Sequence, residues 1–177
     1  MSYIQLIIMA ISLSMDAFSL AIAYGTILPT KKVKLFLSST VGLFHYFMPL
    51  LGSLIGTFII SNIISDPDIL VTIIFFILSI EMIISLKDSK DKKTFKTYFD
   101  ALLFAFSVSL DSFSIGIALG THHDNIYIAG LFFSTFSAFF TYLGLNIGNK
   151  LSLTYGKIAN IIGSLLLFIL ALVHLFT

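Results

Sequence analysis

Six apolar runs fill almost the whole chain, near residues 3–25, 35–60, 68–86, 99–120, 126–148 and 156–176, with only short polar breaks between them. Each run approximates the ~20 residues an α-helix needs to cross a bilayer's hydrocarbon. Inside lipid the backbone must satisfy its own hydrogen bonds, so runs of this length fold as helices and not as open strands. Composition leaves no water-soluble alternative. Of 177 residues, 58% are hydrophobic and 11% charged, against about a quarter charged in ordinary soluble domains. The expected fold is an all-α integral membrane protein of six transmembrane helices, with the lipid bilayer as its main surroundings.

A formal net charge of +1 offers nothing to nucleic acid. The chain has no cysteine, which excludes disulfides, thiolate metal sites and a cysteine nucleophile. The first run lacks a basic leader and a clear small-residue cleavage site, so it is expected to stay as a span.

The breaks read "TILPTKKVK", "SNIISDPD", "KDSKDKKTFKTY", "THHDN" and "NKLSLTYGK". All ten basic residues are lysines, and every one lies in the first, third or fifth break. In a six-span chain those three breaks share one side. The positive-inside rule assigns that side to the cytoplasm and leaves both termini outside.

The chain also repeats itself. "SLSMDAFSLAIAYGT" (12–26) and "SVSLDSFSIGIALGT" (107–121) are identical at nine of fifteen positions, and "PLLGSLIG" (49–56) resembles "TYLGLNIG" (141–148). Similar composition alone accounts for matching Ile, Ala and Phe, but not for an aligned aspartate between aligned serines. The expected organisation is one transporter domain over 1–177: a first repeat over about 1–86, a cytoplasmic loop at 87–98 and a second repeat over about 99–177. Three spans per repeat is an odd number, so the second repeat enters the membrane inverted. Inverted repeats are typical of secondary transporters, with the substrate site near the midplane.

Asp16 and Asp111 each fall near mid-span. An aspartate at that depth costs about 2.5–3.5 kcal/mol on insertion scales. Neither run contains a lysine to pair with it, so a bound cation or a proton is the simplest compensation. Residues at i−4 and i+3 share a helix face with residue i. Ser12 and Ser19 therefore flank Asp16, and Ser107 and Ser114 flank Asp111. Two such faces make an oxygen-rich pocket for a divalent ion such as Mg²⁺, Ca²⁺ or Mn²⁺. Serines in lipid also assist plain helix packing.

The second span adds "GLFHYFMPLLG". His45 and Met48 lie one turn apart before Pro49, which loosens local backbone bonding. As softer donors they would bias a site toward a transition metal. Alternatively His45 bonds a neighbouring helix and Met48 is core. Ser137 and Thr141 occupy the repeat-equivalent places of His45 and Pro49, and Asn146 is a further oxygen donor. Glu81 and Asn160 either line a pathway or reach toward the interface. His122 and His123 read as a polar turn or as outer metal capture.

"SLSMDAFSLAIAYG", "GLFHYFMPLLGSLIG" and "SVSLDSFSIGIALG" closely resemble the MntP family of manganese efflux pumps, within the lysine-exporter superfamily. Length, six spans and the basic central loop match as well. The resemblance implies Mn²⁺ export from a bacterial cytoplasm through the inner or plasma membrane. It assigns the family's acidic pair to Asp16 and Asp111 and the polar position of its second span to His45. The chain departs from the family pattern at Glu81, where a basic residue is usual, and near Ser85 and Asn160, where glutamates are.

The expected function is proton-coupled manganese(II) efflux, with Mn²⁺ as transported substrate, H⁺ as counter-ion and no cofactor. Export of another divalent cation or small solute is the alternative within transport. A carboxyl-bearing solute would want an intramembrane Arg or Lys, and the spans have none away from their ends. A non-transporting membrane scaffold would not need acids in both halves. Hydrolase patterns such as His-Glu-x-x-His are absent from the sequence, so no enzyme activity is expected.

Overall fold

A computed structural model describes residues 3–25, 30–62, 67–85, 98–120, 125–148 and 153–175. Among these residues all regular structure is helical: α1 (Tyr3–Gly25), α2 (Lys31–Asn62), α3 (Pro67–Ser85), α4 (Tyr98–Val108), α5 (Leu110–Leu119), α6 (Ile126–Ile147) and α7 (Leu153–Leu175). Four stretches among them are long and apolar enough to cross a membrane: Tyr3–Ile22, Lys31–Ile59, Ala101–Leu119 and Ile126–Ile147. A shorter apolar stretch, Ile161–Val173, lies in α7. The chain is a multi-pass membrane protein.

The helix ends follow the apolar runs, with two differences. First, α2 begins at Lys31 and not near 35. Thr30 stops it there: its hydroxyl accepts the Val33 N–H at 3.4 Å and its carbonyl accepts the Lys34 N–H at 3.2 Å, an N-terminal cap. Lys34 therefore belongs to the first turn of α2 and not to a solvated loop. Its side chain is buried, and its ammonium donates to the Leu145 carbonyl in the last turn of α6. A cation at a helix C-terminus meets the negative end of the dipole.

Second, the fourth run is not one continuous helix. Ser109 has φ −94° and ψ 1°, in the sparsely populated bridge region between helix and strand. Its N–H is shared between the Ala105 and Phe106 carbonyls, at 3.2 and 3.1 Å. Its hydroxyl donates back to the Ala105 carbonyl at 2.7 Å. α4 and α5 together form one bent rod.

With α4 and α5 taken as one rod, each rod has two principal neighbours in the cyclic order α1, α6, α2, α5, α3, α7 and back to α1. Between α2 and α5 the backbones nearly touch. A Cβ on Gly52 would run into the Phe113 carbonyl, and one on Gly116 into the Pro49 backbone. Lipid gives apolar side chains no reason to leave it, so close backbone approach through small residues drives such packing. One buried cluster draws Met9 and Leu13 from α1, Phe75 from α3, Ile115 and Ala118 from α5, Phe133 from α6 and Leu170 from α7. Leu43, Phe47, Leu51, Leu54 and Phe58 form an exposed stripe along α2. In water it would be a large apolar patch; in a bilayer it is the lipid-facing side.

Candidate metal pathway

Met9, Leu13 and Asp16 recur at helical spacing along α1, as Asp111, Ile115 and Ala118 do along α5. The four apolar members lie in the same buried cluster. Each half-buried aspartate therefore extends a stripe that faces the core. A second cluster ties this level to α2. Ala17, next after Asp16, packs with Val41 of α2 and with Ala105 and Val108 of α4. His45 lies one turn beyond Val41, and Ser109 follows Val108. The helices carrying Asp16, His45 and Asp111 converge here.

His45 is fully buried, with Nδ1 2.9 Å from the Val41 carbonyl and 2.9 Å from the Ser109 hydroxyl. A carbonyl can only accept, so this bonding assigns the ring proton to Nδ1. Ser109 then accepts from Nδ1–H and donates its own proton to Ala105. Nε2 is buried and makes no hydrogen bond among the described residues. In this neutral tautomer it carries the ring's lone pair. Pro49 has no N–H, so the His45 carbonyl also lacks its usual helical donor. His45 thus supplies a buried ring nitrogen with its lone pair uncommitted among the described residues.

The flanking serines differ among themselves. Ser12 is buried and donates to the Ile8 carbonyl at 2.7 Å. Ser19 and Ser114 are half-buried. Ser107 is exposed, donates to the Leu103 carbonyl at 2.8 Å and is separated from Asp111 by the bend at Ser109. Met48 is buried. Its repeat-equivalent, Phe140, packs edge-on against Phe18, with centroids 6.0 Å apart. Thr141 is fully buried, and its hydroxyl makes no hydrogen bond among the described residues. The Asn146 amide donates to the Tyr142 carbonyl of its own helix at 2.8 Å. His122 and His123, with the side chains of Glu81 and Asn160, lie outside the described residues.

Helical spacing from each aspartate picks out Ser12, Ser19, Ser107 and Ser114. Among the described serines near the two aspartates, the hydroxyls that reach another helix belong to Ser14 and Ser109 instead. Ser14 meets Ser137 of α6 at 3.3 Å, Oγ to Oγ, as Ser109 meets His45. Both lie two residues before an aspartate, on a different helix face. The signal that could have found them is their identity in the two repeats. Among the described residues no group of three His, Asp and Glu side chains is placed to hold a metal ion. A divalent ion here would take further ligands from hydroxyl, carbonyl or water oxygens.

A family model described as "Putative manganese efflux pump" matches residues 28–175. Proteins named "Putative manganese efflux pump MntP" are similar over nearly the full length. That of Geobacillus thermodenitrificans is 34% identical over 175 residues, covering 98% of this chain and 96% of its own. That of Bacillus pumilus is 33% identical over 174 residues, covering 98% and 95%. That of Bacillus velezensis is 35% identical over 166 residues, covering 93% and 89%. No solved structure matches.

Proposed function

The chain belongs to the MntP family of manganese efflux pumps, and from that premise we propose that it exports Mn²⁺ across the bacterial plasma membrane in exchange for protons. In this proposal the substrate site is built on Asp16 and Asp111, with His45 as a nitrogen ligand from α2, and Ser12, Ser19, Ser107, Ser114 and Met48 are its remaining candidate ligands. The observation that carries this reading is the pair of core-facing stripes that end on the two aspartates. Both lead from one buried cluster to one level of the bundle.

Charge explains the coupling. Two ionised carboxylates held at one level of the bundle are costly inside a bilayer. One Mn²⁺ neutralises both, and so do two protons. The loaded and the protonated sites can then each pass through an apolar surrounding that the bare dianion cannot. Exchange of one ion for protons follows from that restriction. His45 adds a nitrogen donor, which suits Mn²⁺ better than Mg²⁺ or Ca²⁺.

Six spans as two inverted repeats, with both termini outside, complete the proposal. The packing supports the division into two matching three-rod halves. Exchanging the repeats turns α1 against α6 into α5 against α2, and α1 against α7 into α5 against α3, and all four pairs are in contact. Single cysteines in the cysteine-free chain test the orientation. Those placed in residues 87–98 should resist a membrane-impermeant thiol reagent in intact cells, and those in 61–68 should react. The opposite labelling would overturn the orientation.

The site has a direct test. Asp16→Asn and Asp111→Asn keep shape but each removes one negative ligand. Either alone should nearly abolish Mn²⁺ export at matched membrane abundance. The double variant should be little worse, because residues acting as one unit are non-additive. Full protection of manganese-stressed cells by both single variants would remove the aspartates from the site.

A further inference from the structure

We infer that Ser109 is a positioning residue for the transport site: its hydroxyl, with the Val41 carbonyl, fixes the His45 ring as the Nδ1–H tautomer and aims the Nε2 lone pair at the substrate cation. This rests on the proposed site and adds to it the residue that sets metal preference.

Four observations lead here. The Nδ1 edge of the ring is held from two helices, by Val41 of α2 and by Ser109 at the α4–α5 bend, each at 2.9 Å. The Ser109 hydroxyl donates to Ala105 at 2.7 Å, so its one proton is committed and its lone pairs face the ring. A committed donor cannot also donate to Nδ1, which strengthens the assignment of the ring proton. The Nε2 edge is buried and makes no hydrogen bond among the described residues. Leaving a ring nitrogen so is unfavourable, and a cation that accepts its lone pair removes the penalty.

Ring orientation matters because a rotated imidazole offers an N–H where the metal needs a lone pair. Groups that bond the far nitrogen of a metal-binding histidine set its tautomer and basicity, and their loss lowers metal affinity by roughly 10–100-fold. Ser109 stands at that place. It also sits at the bend, so the residue that orients the ring is the one where α4 gives way to α5, two residues before Asp111.

The test uses the purified full-length chain in proteoliposomes, with Mn²⁺ and Ca²⁺ as probes and equal reconstituted amounts. Ser109→Ala should raise the half-saturating Mn²⁺ concentration roughly tenfold, the low end of the range for such groups, and leave the maximal rate within about twofold. Ca²⁺ transport, which has less use for nitrogen, should change far less, so the Mn²⁺ preference narrows. Ser109→Thr, which keeps the hydroxyl, should restore it. In a His45→Gln background, Ser109→Ala should add less than a twofold effect.

An equal loss for both ions, or a Ser109→Ala effect that persists in full without His45, would reduce Ser109 to a structural hydroxyl and overturn the inference. Mn²⁺ transport unaltered by His45→Gln would overturn it too, while leaving the aspartate site intact. Failure of the aspartate variants to affect export would instead remove the site itself.

Discussion

The seam between α5 and α2 and the seam between α1 and α6 are built from matching sequence and do different things. In the first, Ser109 meets a histidine; in the second, Ser14 meets a serine. A Cβ on Gly52 would strike the Phe113 carbonyl and lie 2.9 Å from the Ile117 nitrogen. One on Gly144 would lie 2.8 Å from the Phe18 carbonyl and 3.2 Å from the Ile22 nitrogen, the repeat-equivalent atoms. The first seam is tighter because Gly116 stands where the other has Ala21. It also contains the bend, since α4 stops before Ser109 whereas α1 runs unbroken through Ser14. Similar local sequence therefore gives a somewhat looser contact beside an unbroken helix on one side and a more crowded one beside the break at Ser109 on the other. Chemistry that needs a fixed geometry belongs on the crowded side.

The largest effect should come from crowding that seam further. Gly116→Ala pushes a methyl into the Pro49 backbone, which cannot swing aside as a side chain can. Overpacking typically costs about 1–3 kcal/mol, and this change belongs at the upper end, near 3. Gly144→Ala meets the Ala21 methyl and the Phe18 carbonyl, each at 2.8 Å, a milder overlap than the one at Gly116, and should cost about 2 kcal/mol, the middle of the same range. Thermal unfolding of the purified variants measures both. Equal losses would mean that the two seams are mechanically alike.

Much of this was legible in the sequence. The helices follow the apolar runs because lipid permits nothing else, and the acidic pair stands out because an aspartate among Leu, Ile and Phe is expensive. The bend was not legible. "SVSLD" and "SLSMD" are nearly the same, yet only Ser109 leaves helical geometry. The difference that accompanies it lies across the seam, where His45 stands in the place of Ser137, and no window of local sequence contains it. Lys34 was obscured for a related reason: its partner is a backbone carbonyl of α6, more than a hundred residues away. Spacing rules found serines on the aspartate faces and missed Ser14 and Ser109, whose importance depends on which helix stands opposite.

The smallest effect should come from the quiet seam. The Ser14 hydroxyl bonds the Ala10 carbonyl of its own helix and meets Ser137 at 3.3 Å, a long contact between two neutral groups. After Ser14→Ala, the Ser137 hydroxyl can turn back to a carbonyl of α6, as serines on helices commonly do. Hydrogen bonds between membrane helices average about 0.6 kcal/mol in double-variant measurements, and this one should cost no more. Its half-saturating Mn²⁺ concentration should stay within about twofold of the parent, since a lost hydrogen bond worth so little leaves α1 in place. Ser109→Ala removes the same atom from the matching position and should change that concentration severalfold more. Comparable shifts from the two serines would mean that what matters is a hydroxyl before each aspartate. The histidine would then not be the reason the two seams differ.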